Sequence, residues 1–193
     1  MKVLVIHHHA DGNKHIEAGV DSAVLRPAEP VFVPEPFEQW QSSIVIAVRI
    51  ARLGMSIKES RAKDYYNEFT AFHMLTPISA EVSDGLPPYI LDRTFSPGTW
   101  LDLGRSGANI ELKAECCALT QSSSEHETTI TQHFDISDLE INKTIALLSK
   151  HITFKTGDLL IFTAHRLDLG APRLDTSITA TINGQPVLSI RIK

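Results

Sequence analysis

Histidine gives this chain its densest concentration of reactive groups. His7-His8-His9 form an unbroken run, and His15 and Glu17 follow closely. Imidazole ligates borderline metals and exchanges protons near neutral pH. Consecutive residues of a strand point to opposite faces, so three histidines in a row do not chelate one ion unaided. The run therefore reads as a polar loop after the first strand. His15 and Glu17 could make an acid–base pair, a pairing that any loop of this polarity also supplies by chance. Cys116-Cys117 lack Cys-x-x-Cys spacing and have no base nearby in sequence, so they read as packing residues within a strand. Asp64-Tyr65-Tyr66 reads as a helix end with a surface carboxylate. The chain contains no P-loop, dinucleotide glycine motif, Gly-x-Ser-x-Gly elbow or zinc signature.

Composition narrows the classes. Eighteen Lys and Arg face 23 Asp and Glu, a formal net charge of −5, which is the wrong balance for a nucleic-acid binder. Two adjacent cysteines cannot build a disulfide framework, which suggests a reducing, cytoplasmic compartment. The longest apolar run near the start, Val3-Leu4-Val5-Ile6, is too short for a signal peptide, and no stretch reaches the ~18 apolar residues of a membrane span. With 193 residues, 42% of them hydrophobic, the expectation is one domain over 1–193 with a sizeable core. Residues 1–20 would form a short N-terminal strand and loop region, and 21–193 the core.

The elements that must position any site are mainly β. Residues 2–6 read as a short buried strand, and 7–20 as polar and irregular. The prolines at 27, 30, 34 and 36 keep 26–37 extended. Ser43 to Leu53 is the strongest strand, with Ile44, Ile46, Val48 and Ile50 on one face and Val45, Ala47 and Ala51 on the other. Both faces need cover that so small a chain would struggle to supply, which points to a homodimer. Ser56-x-x-Glu59 has capping-box form and predicts a helix over 57–64; Ser137-x-x-Glu140 predicts another over 137–149. Strands are expected at 65–75, 109–120, 126–133 and 159–163. A C-terminal hairpin turns at Asn183-Gly184, a type I′ signal. Together these give a mixed α+β fold built on a curved mixed sheet or barrel with two short helices.

Several segments, in order and spacing, resemble the fumarylacetoacetate hydrolase family. They are Asp21-Ser22-Ala23-Val24-Leu25, Pro34 through Leu53-Gly54, Asp64-Tyr65-Tyr66 with Thr70, Asp92 with Phe95-Ser96-Pro97-Gly98-Thr99-Trp100, and Thr153-Phe154-Lys155-Thr156-Gly157-Asp158-Leu159-Leu160. The resemblance implies the family's C-terminal-domain architecture. It also implies Mg²⁺ or Mn²⁺ held by a Glu-x-Glu pair and an Asp, a helping lysine, and cleavage, decarboxylation or isomerisation of oxo acids.

Carried over position by position, the chemistry is missing. Ser43-Ile44-Val45 stand where Glu-x-Glu belongs, Met74 where the Asp belongs, and Tyr89 where the lysine belongs. Phe162-Thr163-Ala164-His165 replace a Thr-Gly-Thr-Pro strand end. Lys14, not histidine, stands three residues before Glu17, where the family carries a His–Glu pair on a lid. Hard cations need oxygen ligands, usually carboxylates, and these positions offer a neutral hydroxyl, nothing and a thioether. The resemblance then implies a catalytically degenerate member without cofactor, its former site lined by Ser43, Val45, Met74, Tyr89, Asp92 and Phe162. Such a protein would bind a small molecule or pair with an active paralogue. The alternative is an oxo-acid hydrolase, isomerase or decarboxylase using Mg²⁺ or Mn²⁺ on ligands recruited from His73, His165 and Asp92.

Overall fold

The computed structural model describes residues 1–8, 14–27, 29–119 and 128–193. His9 of the histidine run, together with residues 120, 126 and 127 of two expected strands, lies outside them. Two curved sheets, not closed into a barrel, make up most of the molecule. The larger is mixed and runs β2(Lys14–Gly19)-β1(Val3–His8)-β9(Leu159–Gly170)-β3(Trp40–Ile50)-β4(Tyr66–Pro77)-β5(Phe95–Pro97), with β6(Leu101–Asp102) also on β4. β1 is parallel to β9 and the other pairings are antiparallel. The smaller sheet, β11(Gln185–Ile192)-β10(Thr176–Ile182)-β7(Asn109–Ala118)-β8(Thr128–Asp135), is antiparallel throughout. Cys116 and Cys117 lie in β7, both partly exposed. No helix among the described residues is long and apolar enough to cross a membrane.

Alternation along β3 sorts its side chains onto two hydrophobic layers. Ile44, Ile46, Val48 and Ile50 join Leu4, Ile6, Leu160 and Phe162 in a core shared with Leu112, Ile178 and Ile190 of the smaller sheet. Val45 and Ala47 enter a second layer with Val3, Val5, Phe72, Met74, Tyr89, Phe95 and Ile161. That layer is roofed by the chain itself through Ala23, Val24, Tyr89, Phe95 and Trp100. Burial of β3 therefore asks for no second copy, and this reason for expecting a homodimer falls away. Gly98 fixes the edge of the roof: a Cβ there would stand 2.6 Å from the backbone oxygens of both Ala71 and Val187. Asn183 and Gly184 turn the β10–β11 hairpin at φ 50° and 76°, as a type I′ turn demands.

Three local expectations change. Residues 14–19 are not irregular: they form β2 and pair in register with all of β1, from Val3↔Gly19 to His8↔Lys14. Being at a sheet edge, β2 keeps its polar side chains hydrated, so no hydrophobic alternation is required of it. The helix expected at 57–64 is a 3-10 segment, Glu59–Tyr65, with no side-chain cap; Ser56 sits at φ 52° and cannot serve as one. The capping box expected at Ser137 and Glu140 lies two residues earlier. Asp135 accepts from the Ser137 N–H, and Asp138 accepts from the Asp135 N–H. The helix proper, α2(Ile141–Leu148), starts only after Glu140, which adopts φ 49°. The other helix, α1(Leu103–Ser106), is one turn capped by Asp102.

A closed apolar layer and its polar rim

Ser43 and Met74 are direct cross-strand partners, and Val45 faces Phe72 one step along. Ser43, Val45 and Met74 are fully buried. The Ser43 hydroxyl donates to the Met74 carbonyl (3.4 Å), so its proton is already committed. Around Val45 and Met74 pack Val3, Val5, Phe95 and Tyr89. These residues do not fit Mg²⁺ or Mn²⁺. Stripping water from a hard ion requires oxygen ligands in return, and Val45 supplies none while Met74 offers only sulfur.

Two of the expected lining residues stand elsewhere. Phe162 belongs to the opposite layer, where it packs against His8 with ring centroids 6.3 Å apart. Strand parity decides this: Ile161, not Phe162, shares a face with Val45. Asp92 is exposed, in the loop that follows Pro88–Ile90. The alternative ligand set is also scattered. His73 is fully buried on the face away from Met74, its Nε2 2.8 Å from Ser42 Oγ, and its Nδ1 has no partner among the described residues. Burial alone pushes its pKa down to about 3, so it is a neutral core imidazole at physiological pH. His165 stacks on Phe134 at 4.3 Å, contacts Gln132 and Asp138, and is held below its ordinary pKa chiefly by burial. No three His, Cys, Asp or Glu side chains among the described residues enclose an ion-sized point.

The polar groups gather at the rim of the layer, where β1 and β2 reach its edge. His7 and His15 are directly opposed across the hairpin, and Glu17 follows two residues later on the same face. His7 Nε2 lies 3.1 Å from Glu17 Oε2 and 3.3 Å from the Tyr89 hydroxyl; His7 Nδ1 lies 3.4 Å from Thr163 Oγ1. His15 Nε2 stands 3.7 Å from the other Glu17 oxygen. Burial, and secondarily the Glu17 charge, push the Tyr89 phenol up to about 12, keeping it a neutral O–H at any ordinary pH. Sequence reasoning paired His15 with Glu17 but missed His7, because only the unforeseen strand β2 brings them together. The open space is elsewhere. A cleft of about 850 Å³ at the other end of the same layer is lined by Phe72, Trp100, Val24, Leu159 and Val187, with Arg49 stacked on Trp100 at 4.7 Å.

No protein-family model matches the sequence, and no curated protein does. Solved structures do. A protein assigned to the fumarylacetoacetate hydrolase family from Yersinia pestis superposes with a TM-score of 0.77 at 17% identity, over 100% of this chain and 93% of that one. Fumarylpyruvate hydrolase from Pseudomonas aeruginosa, solved with Mn²⁺ and pyruvate, gives 0.76 at 15% identity over 100% and 89%. A 2-hydroxyhepta-2,4-diene-1,7-dioate isomerase from Mycobacterium marinum gives 0.75 at 18% over 99% and 73%. The chain thus shares the fold of these three proteins, one of them a fumarylacetoacetate hydrolase family protein.

Proposed function

We propose that this chain is a catalytically degenerate relative of those hydrolases and isomerases, a binding subunit without their divalent-metal oxo-acid chemistry. The observation that carries the reading is the closed layer at Ser43, Val45 and Met74. At the positions where the family resemblance places three carboxylates, Val45 and Met74 instead pack with Phe72 and Phe95, and Ser43 offers one neutral hydroxyl whose proton goes to the Met74 carbonyl. A Lewis acid needs such carboxylates to stay in place and polarise a diketo substrate. The apolar cleft beside Phe72 and Trp100 is where a small molecule would find both room and aromatic contact. The oxo-acid hydrolase alternative has no comparable support, since His73, His165 and Asp92 lie apart.

Thermal unfolding with and without millimolar Mg²⁺ tests this, because a ligand selective for the folded state raises its midpoint. The expected result is no shift, and no turnover of acylpyruvates or oxaloacetate with Mg²⁺ or Mn²⁺ present. A clear Mg²⁺-dependent rise in midpoint, or metal-dependent turnover, would overturn the reading.

A further inference from the structure

We propose that one end of the molecule, built from residues 52–63 and 143–155, is a docking surface for anionic lipid bilayers. The proposal does not rest on the function given above, which concerns different residues. The two segments hold seven Lys and Arg against a single carboxylate, Glu59, which leaves eleven against 22 for the rest of the chain. Pairing concentrates the surplus further. Arg61 and Lys143 face Asp64 and Glu140, whereas Arg52, Lys58, Lys63, Lys150 and Lys155 have no carboxylate partner among the described residues. All five are exposed. A chain of net charge −5 with unpaired cations gathered at one end is a dipole, and a negative surface turns that end towards itself.

Backbone bonds join the two segments into one surface. Gly54 and Phe154 each donate an N–H to the other's carbonyl, at 3.1 and 2.8 Å. The Ser56 and Ile57 N–H groups donate to the Ser149 carbonyl and hydroxyl, at 2.7 and 2.8 Å. On α2, Lys143, Leu147 and Lys150 recur at helical spacing on the exposed side, while Ile141, Thr144 and Ile145 face inward. Among the cations stand three large apolar side chains, Leu53, Met55 and Leu147, which are 70%, 57% and 45% exposed. This combination selects the partner. Cations alone suit any polyanion, but none of these three side chains is aromatic, so none can stack on a nucleic-acid base. At a bilayer, ammonium groups meet the anionic headgroups while apolar side chains enter the boundary with the acyl chains. Adsorption of this kind needs no membrane-crossing helix.

Co-sedimentation of the full chain with sucrose-loaded vesicles tests this, using phosphatidylcholine alone or with about 30% phosphatidylglycerol. Binding is expected only to the anionic vesicles at about 0.1 M salt, with release near about 1 M, where screening shortens to about 3 Å. Lys58→Gln, Lys150→Gln and Lys155→Gln should each weaken binding about fivefold. The Leu53→Ser, Met55→Ser double variant leaves every charge in place and should weaken it about tenfold, through lost apolar insertion. All these positions are exposed, so circular dichroism should show each variant folded, and any one that folds decides the question. Arg191→Gln, at an exposed cation on the smaller sheet, should bind like the natural chain. Equal binding to neutral vesicles, no binding to anionic ones, natural affinity in a folded lysine variant, or an equal loss in Arg191→Gln would overturn the site. Binding to heparin combined with natural vesicle affinity in the Leu53, Met55 double variant would overturn it too, by making the surface a site for soluble polyanions.

Discussion

One face of the large sheet holds two opposite chemistries a few residues apart. At its centre, Ser43, Val45 and Met74 are sealed among aromatic and aliphatic side chains. At its rim, His7, His15 and Glu17 are partly exposed and keep their water. Tyr89 is the seam: its ring stacks on Phe95 on one side and on His7 on the other, and its hydroxyl reaches the His7 nitrogen. The difference is a matter of cover. β3 and β4 have sheet neighbours on both sides and layers above and below, so a charge there would lose its solvation. β2 is an edge, and water supplies what the protein does not.

The hardest test of that contrast refills the centre with charge. Ser43→Glu, Val45→Glu and Met74→Asp together place three carboxylates in the dry layer, where desolvation and mutual repulsion both oppose ionisation. Breaking even one buried charge pair costs about 3–5 kcal/mol, so the triple variant should lose more than about 5 kcal/mol and be largely unfolded at neutral pH. The sign with pH follows. Carboxyls whose folded pKa is raised destabilise most above their unfolded values, so acidification towards pH 4 should restore structure. Added Mg²⁺ should restore part of it at neutral pH while leaving the natural protein unmoved. Chemical denaturation followed by circular dichroism reads all three arms.

A smaller perturbation keeps the centre apolar and only empties it. Met74 is fully buried, so Met74→Ala should cost about 2–5 kcal/mol through lost burial and the cavity left behind. A loss well under 1 kcal/mol in urea unfolding would mean the layer is loosely packed and can collapse.

The opposite face offers a pH-dependent comparison. His73 titrates near 3 in the fold against an ordinary 6.5, because burial disfavours its charged form. The unfolded chain therefore binds a proton that the folded chain refuses between those values. This contribution to stability is intact above about pH 6.5 and is lost progressively as pH falls towards 3. The expected loss is a few kcal/mol, and His73→Gln, which can still bond Ser42, should flatten that acid slope. An unchanged slope in the variant would place the acid sensitivity elsewhere.

What could be read in advance depended on how strongly local pattern constrained each element. Ile44, Ile46, Val48 and Ile50 had to share a face, and Asn183-Gly184 had to turn, because pleat and positive φ leave little choice. The pairing of Ser43 with Met74 across β3 and β4 leaves no mark in the local sequence. β2 escaped notice because a hydrated edge strand needs no apolar alternation, and with it went the His7–Glu17 contact. Ser56 and Ser137 looked like caps, but tertiary context set their backbones: Ser56 N–H bonds to the Ser149 carbonyl, and Asp135 had already taken the capping role before Ser137. Phe162 was misplaced because an apolar residue on a strand buried on both sides carries no mark of its face.

The rim should show the smallest response of all. Glu17→Gln removes the carboxylate that faces both His7 and His15, yet it keeps the side chain's size and an oxygen to accept a hydrogen bond. The carboxylate and the His7 ring are each partly exposed, at 34% and 24%. Ion pairs in such settings are worth about 0.2–1 kcal/mol, since water screens the attraction and ordering two side chains costs entropy. The variant's urea midpoint should fall by no more than that margin. The natural chain should lose a similar amount in roughly 1 M salt, where charges more than a few ångströms apart no longer feel one another. Val45→Glu introduces a single carboxylate on the same face and should cost several times more. If Glu17→Gln proved as destabilising as Val45→Glu, the rim would be as dry as the centre, and the contrast between them would be one of residue type alone.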